Sequence, residues 1–307
     1  MRRWKTAIAV SAVSLLLAAC GSGPQPLPPR LEEAATYAEK GLAAFRNGCI
    51  DEAEGLFLAS LEVNRSLDDR ERTGQDLNRL SVLYAAQGRT EEALKSLDQA
   101  EYINKRGNHV SALFANLLNR GRIYIKTRQW EAAVKALEEA RLLSPLTDEE
   151  LSSWYALKGY WHLEQGRIDD AIRELEEAEK RSRPEVSPRA SAALELHMAR
   201  AFQATGRLED ALERAQRALE LDKKVAYAPG IGEDLVLLSL LAEQSGRLDQ
   251  AADFAERAFY VHYYLGHEDK VRELLNTLER LKDDSRVKRL DVYLKKGERE
   301  GFRAYCP

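Results

Sequence analysis

The sequence predicts an all-α fold, a solenoid of helical hairpins, on three observations. From Leu31 onward apolar residues recur at helical spacing among charged ones, with no alternating β-branched run of the kind a strand needs. A Gly-Arg-x-x-x-Ala pattern recurs at Gly88-Arg89…Ala93, Gly166-Arg167…Ala171, Gly206-Arg207…Ala211 and Gly246-Arg247…Ala251, with looser copies at Gly48…Ala53 and Arg128…Ala133. The anchors 48, 88, 128, 166, 206 and 246 are 40, 40, 38, 40 and 40 residues apart. A period of that length marks stacked supersecondary units that bury their apolar faces only against one another.

In chain order, residues 1–19 read as a signal peptide. Arg2, Arg3 and Lys5 form a positive start, Ile8 to Leu17 an apolar stretch, and Ala18-Ala19 supply small residues before Cys20. The apolar run is shorter than the roughly 18 residues a membrane span requires. Leu17-Ala18-Ala19-Cys20 resembles the bacterial lipobox. That resemblance implies cleavage before Cys20, a diacylglyceryl group on its sulfur and an acyl group on its new amino terminus. Several acyl chains, each buried methylene contributing about 0.8 kcal/mol, anchor a protein firmly to a bilayer that it does not cross. Gly21, in place of Asp, is compatible with passage to the outer membrane, and the expected location is the periplasmic face of the cell envelope. The Pro-rich residues 20–30 are expected to form a semi-extended tether.

Residues 31–264 then hold six units. Seven residues before each turn lies a small residue (Gly41, Ser81, Gly121, Gly159, Ala199, Ser239), and Tyr84, Tyr124 and Phe202 lie four before it. After the turn, sets such as Ala93-Leu97-Ala100 and Ala133-Leu137-Ala140 share one helix face. Small side chains let two helices approach and the large ones fill the space beside them, so each unit is a helical hairpin. This pattern resembles the tetratricopeptide repeat family, which implies a right-handed α-solenoid of about six such hairpins. The period departs from the family's usual value of about 34 residues, and a closing Pro is clear only at Pro145. The extra residues are expected to lengthen the helices or the connections near 144–147 and 183–188. Thr147 and Glu150 make a capping-box signature for a helix start. In residues 265–307, His267 to Leu281 reads as a capping helix, followed by a basic tail in which Arg286 to Lys296 form a short final helix or an anionic-surface contact.

Catalysis is not expected. No phosphate-binding loop occurs, and Gly230-Ile231-Gly232 reads as a turn before a helix. The five histidines are scattered, with His162 in a packing position and His262 and His267 on different helix faces, so neither metal nor cofactor is expected. Without Arg2, Arg3 and Lys5, the 46 Lys and Arg fall to 43 against 50 Asp and Glu, a net charge of −7 that disfavours nucleic acid. Cys49 and Cys306 stand at opposite ends of the stack and are expected to remain unpaired. The family resemblance implies a groove lined by the first helix of each unit. In that register Arg122 and Arg200 flank Tyr160, with Asn78, Lys126 and Gln203 nearby, a set of donors and an aromatic suited to an acidic or carboxylate-ended segment. The expected function is a membrane-anchored scaffold or adaptor for envelope proteins, in envelope, pilus or secretion-system assembly. Two alternatives stand: a homo-oligomer whose groove holds its own copies, and an accessory factor of cell-wall enzymes that touches glycan.

Overall fold

The structure is a computed structural model that describes residues 28–306; the expected signal peptide, Cys20 and most of the expected tether lie outside the described residues. All regular structure among the described residues is α-helical, in seven antiparallel pairs: α1 (Pro29–Arg46) with α2 (Ile50–Ser66), α3 (Arg70–Ala86) with α4 (Thr90–Gly107), α5 (Val110–Lys126) with α6 (Trp130–Arg141), α7 (Asp148–Glu164) with α8 (Ile168–Glu179), α9 (Pro188–Ala204) with α10 (Leu208–Lys224), α11 (Ala228–Gln244) with α12 (Leu248–Tyr264), and α13 (Glu268–Arg280) with α14 (Asp284–Glu300). The last pair is the expected capping helix, joined by a second whose span exceeds the expected Arg286 to Lys296 at both ends. Lys282 turns it through a left-handed residue (φ 59°), and Asp283 N–H returns to the Leu278 carbonyl at 3.1 Å, as in the other hairpins. None of these helices is long and apolar enough to cross a membrane.

The turn chemistry explains the repeat. Each first helix ends at a left-handed residue, Gly88, Gly166, Gly206 and Gly246 having φ of 72° to 75°. The next residue's N–H then reaches back to the large residue four before the turn: Arg89 to the Tyr84 carbonyl at 2.9 Å, Arg207 to Phe202 at 2.9 Å. This is a Schellman closure, which satisfies an orphan carbonyl and needs a residue tolerant of positive φ. The Arg of the pattern then lays its guanidinium over an aromatic ring of the helix just ended, Arg89 over Tyr84 at 4.2 Å, Arg167 over Trp161 at 4.4 Å and Arg207 over Phe202 at 4.1 Å. Beyond the turn the alanines pack without exposure, Ala93, Ala133, Ala171, Ala211 and Ala251 among them. Gly159 approaches so closely that an added Cβ would lie 2.7 Å from Leu175.

The extra length of the repeat is distributed in two ways. In the first, second, fifth and sixth pairs both helices run 17 or 18 residues; α6 and α8 have 12 and are followed by irregular connections. Thr147 and Glu150 form the expected reciprocal capping box on α7. Two local expectations are corrected. Pro29 and Arg30 belong to α1, because Pro lacks only an N–H that the first turn leaves unpaired anyway. Gly230 and Gly232 lie inside α11, where they admit the Asp222 carboxylate and the His262 ring against the helix.

The odd-numbered helices pack on one another, α3 on α5, α5 on α7 and α7 on α9, which makes them the inner layer of a curved stack. The curvature carries the chain round until its ends meet. Phe45 lies 6.3 Å from Tyr227 between ring centroids, and Leu265 sits on the Gly48 turn. Residues 301–306 run over the α12–α13 turn, Tyr305 N–H donating to the Tyr264 carbonyl at 2.8 Å, and Cys306 is bonded to Cys49 with Cα atoms 5.6 Å apart. The expectation that these cysteines stay apart is therefore overturned. A solenoid of seven pairs closes on itself and brings its two ends together.

Candidate functional site: the lumen of the closed stack

The inner layer encloses a lumen, and the expected groove residues face it in different degrees. Arg122 is exposed to solvent yet surrounded by protein, the situation of a side chain in a lumen and not in a core. That crowding, and then the charge of Arg189, pushes its pKa down. Tyr160 stacks on the half-buried His197 with ring centroids 4.6 Å apart. Burial raises Tyr160 to about 12, with Glu164 adding to the shift and Arg200 opposing it. His197 is held neutral: burial lowers it to about 3, helped by the positive fields of Arg200 and Arg122. Arg122 and Arg200 thus both lie within electrostatic reach of Tyr160.

Asn78 joins the group through a relay. Asn119 donates to Asn78 Oδ1 at 2.9 Å, and Arg122 donates to Asn119 Oδ1 at 2.7 Å. Gln203 reaches along the stack to Gln244 at 3.0 Å. Lys126, in the last turn of α5, is exposed and is not drawn into these contacts. Three lumen residues were not read from the sequence. Arg189 lies over the Tyr227 ring at 3.9 Å, and His197 is the stacking partner of Tyr160. Arg189 and His197 share α9 with Arg200, so reading that helix face through to its start is the signal that finds them; Tyr227 precedes α11 and reaches the lumen only through the closure.

Many cations of the outer layer are ion-paired across the stack, and these three inner arginines are not. On the outer layer, cations bridge successive hairpins, Arg89 to Glu54 at 2.8 Å and Arg214 to Glu179 at 2.5 Å; at the C-terminal end of the inner layer Arg280 of α13 likewise binds Glu243 of α11 at 2.8 Å. Arg122, Arg189 and Arg200 have no carboxylate oxygen within 4.0 Å among the described residues. The C-terminal basic stretch is largely neutralised, since Arg286 and Arg289 share Glu256 and Lys295 pairs with Asp291, which favours its capping role.

Beside the lumen, the second helix of one hairpin meets the first helix of the next through a buried polar rung. Asn64 donates to Asp76 at 2.7 Å, and Asn104 to Asn116 at 2.9 Å. The corresponding rung between α10 and α11 is Asp222 with Asp234. Burial raises Asp222 to about 6, with Arg189 opposing and Glu233 reinforcing the shift. Burial also raises Asp234 to about 8, the nearby Asp222 and Glu233 charges adding to it while Arg200 opposes. His262 and His267, expected to be apart, meet with Nδ1 atoms 3.1 Å apart because the α12–α13 turn folds one ring back on the other. They supply two nitrogen ligands only. Among the described residues the one cluster of three metal-type ligands is Cys49, Glu52 and Cys306, whose sulfurs are joined to each other.

A solenoid of helical hairpins with Schellman turns and a lined interior defines a helical-repeat binding protein. The chain belongs to the tetratricopeptide repeat family: models described as Tetratricopeptide repeat match residues 32–105 and 190–259, and 118–185, together well over half its length. Among solved structures it is similar to a Rap protein complexed with Competence and Sporulation Factor (14% identity, TM-score 0.58, covering 87% of this chain and 77% of that one). It is also similar to BtubC from P. vanneervenii (18%, 0.55, 72% and 94%) and to the apo form of RapI (14%, 0.52, 86% and 75%). At these identities the likeness is one of fold. No curated protein matches the sequence. Repeats of this family make a scaffold for protein–protein interaction.

Proposed function

We propose that the chain is a lipid-anchored periplasmic adaptor of the bacterial envelope that receives an acidic, extended segment of a partner protein in its lumen. The observation that carries the binding reading is the trio Arg122, Arg189 and Arg200, gathered on the inner layer beside Tyr160 and Tyr227 with no carboxylate oxygen within 4.0 Å among the described residues. Guanidinium groups are donors in a fixed fork and stack on rings, so three of them with Tyr160 and Tyr227 form a surface suited to carboxylates on a peptide. The envelope reading is supported by the leader and lipobox ending at Cys20, and by a disulfide between Cys49 and Cys306, since such bonds persist in oxidising compartments.

The test is recovery of partners from detergent-solubilised envelopes with wild-type protein and with an Arg122→Glu/Arg200→Glu variant. The wild type should retain a defined envelope protein, and the variant should lose it by about ten-fold or more with melting unchanged, as a charge-assisted contact becomes repulsive. The mass of the recovered wild-type N-terminal peptide should show acylated Cys20. Equal recovery by both proteins contradicts the lumen site, recovery of the chain itself alone supports the homo-oligomer, and an unmodified N-terminus contradicts the anchor.

A further inference from the structure

We propose that the Cys49–Cys306 disulfide is a redox clasp on the lumen: a dithiol reductant opens the ring at the seam between the first hairpin and the α12–α13 turn. As a statement about access to the binding surface this rests on the function proposed above; as a statement about shape it stands alone.

The seam is built, because its turn differs from its sisters. A Cβ added at Gly88, Gly166, Gly206 or Gly246 would meet nothing within 4 Å, whereas at Gly48 it would lie 2.2 Å from Leu265 Cδ2. The α12–α13 turn is covered in the same way, Gly266 lying under the backbone of Arg303 and Ala304. The seam is also narrow. Apart from the disulfide it consists of Leu265 on Gly48, the Phe45–Tyr227 ring pair with Arg189 behind it, and the tail laid along Tyr264. Elsewhere around the ring each hairpin is joined to the next by whole helix faces. The covalent bond therefore carries a junction that few apolar contacts support, and the lumen arginine Arg189 stands at its inner edge.

The two sulfurs are unequal. Cys49 is 2% exposed at the start of α2, and Cys306 is exposed on a six-residue segment that follows α14. An incoming thiolate reaches the Cys306 sulfur, forms a mixed disulfide with it, and expels Cys49 as a thiolate that takes up a proton. The second thiol of the reductant attacks the mixed disulfide and releases Cys306. The dithiol is oxidised to its cyclic disulfide, and the two cysteines gain two electrons and two protons. The reverse exchange with a disulfide donor closes the ring.

The experiment compares three samples of full-length protein: oxidised, treated with dithiothreitol, and Cys306→Ser. All are kept in a chelator, because the two sulfurs and a Glu52 carboxylate oxygen lie within 4.8 Å of one another in the bonded state, a set that a metal ion would hold together once the thiols are free. Small-angle scattering and hydrogen exchange are the readouts, with circular dichroism as control. The proposal expects the reduced and Cys306→Ser samples to show a larger radius of gyration at unchanged helix content. It also expects exchange about ten-fold or more faster at residues 45–50, 262–267 and 301–306, the signature of local opening. Unchanged scattering and exchange would show that the seam holds without the bond, and a loss of helix would show a structural cross-link and no aperture; either overturns the proposal. No partner enters this measurement, so its failure leaves the lumen-binding test untouched.

Discussion

Asp222 and Asp234 occupy the rung where Asn64 meets Asp76 and Asn104 meets Asn116, so this buried interface carries two acids where those two carry an amide. Both carboxyls sit well above the 3.8 of an ordinary Asp, at about 6 and about 8. The folded chain consequently binds more protons than the unfolded one across that window. Stability from this pair is fully present below the ordinary Asp value of 3.8 and is lost as pH rises from there through the two folded values. The groups facing the pair are Arg189 and Arg200 on α9, Glu233 on α11, and His262 on α12, which is already lowered to about 4 by burial and then by His267. Asp234→Asn, which restores an amide–acid rung, should remove most of the fall in melting temperature between about pH 5.5 and 8.5. It should stabilise the protein at the alkaline end by about 1–3 kcal/mol. An unchanged slope would place the pH dependence elsewhere.

Helix pairs are where the sequence is most legible. The 40-residue spacing predicts the hairpins because a turn that demands positive φ, a small residue at the crossing and an alanine face must recur together for each unit to pack. The one anchor without Gly tests that logic: Arg128 adopts φ 58° where the five sister turns have Gly at 72° to 78°. A non-Gly residue in that region costs roughly 1–2 kcal/mol, partly offset by the entropy Gly loses on folding. Arg128→Gly should therefore raise stability by about 0.5–1 kcal/mol in denaturant unfolding; a destabilised variant would mean that the Arg128 side chain holds a contact worth more than its strain. The register also places Arg122, Tyr160 and Arg200 together. It misses Arg189 because the pattern was followed only near the turns, and it misses the His262–His267 contact because five residues along a helix point apart, while a Schellman turn after His262 reverses the chain.

For the molecule as a whole, the closure was not legible. It depends on a small rotation accumulated over seven hairpins, and no local pattern carries that sum. Cys49 and Cys306, 257 residues apart, meet only because of it. In the chain-entropy view a cross-link over so long a loop destabilises the unfolded state by about 5.5 kcal/mol, at the upper end of what such bonds contribute. Closure also converts an open groove into a lumen, so the proposed binding surface is the inner layer, while the outer layer carries ion pairs between hairpins. The most direct measurement is photocrosslinking in the bacterial envelope, with a benzophenone amino acid placed at Tyr160 in the lumen or at Arg173 on the outward α8. A cross-linked adduct with a second polypeptide from position 160, absent from position 173 and abolished by Arg122→Glu/Arg200→Glu, is the result expected. Adducts from position 173 with none from position 160 would contradict the lumen as the binding surface.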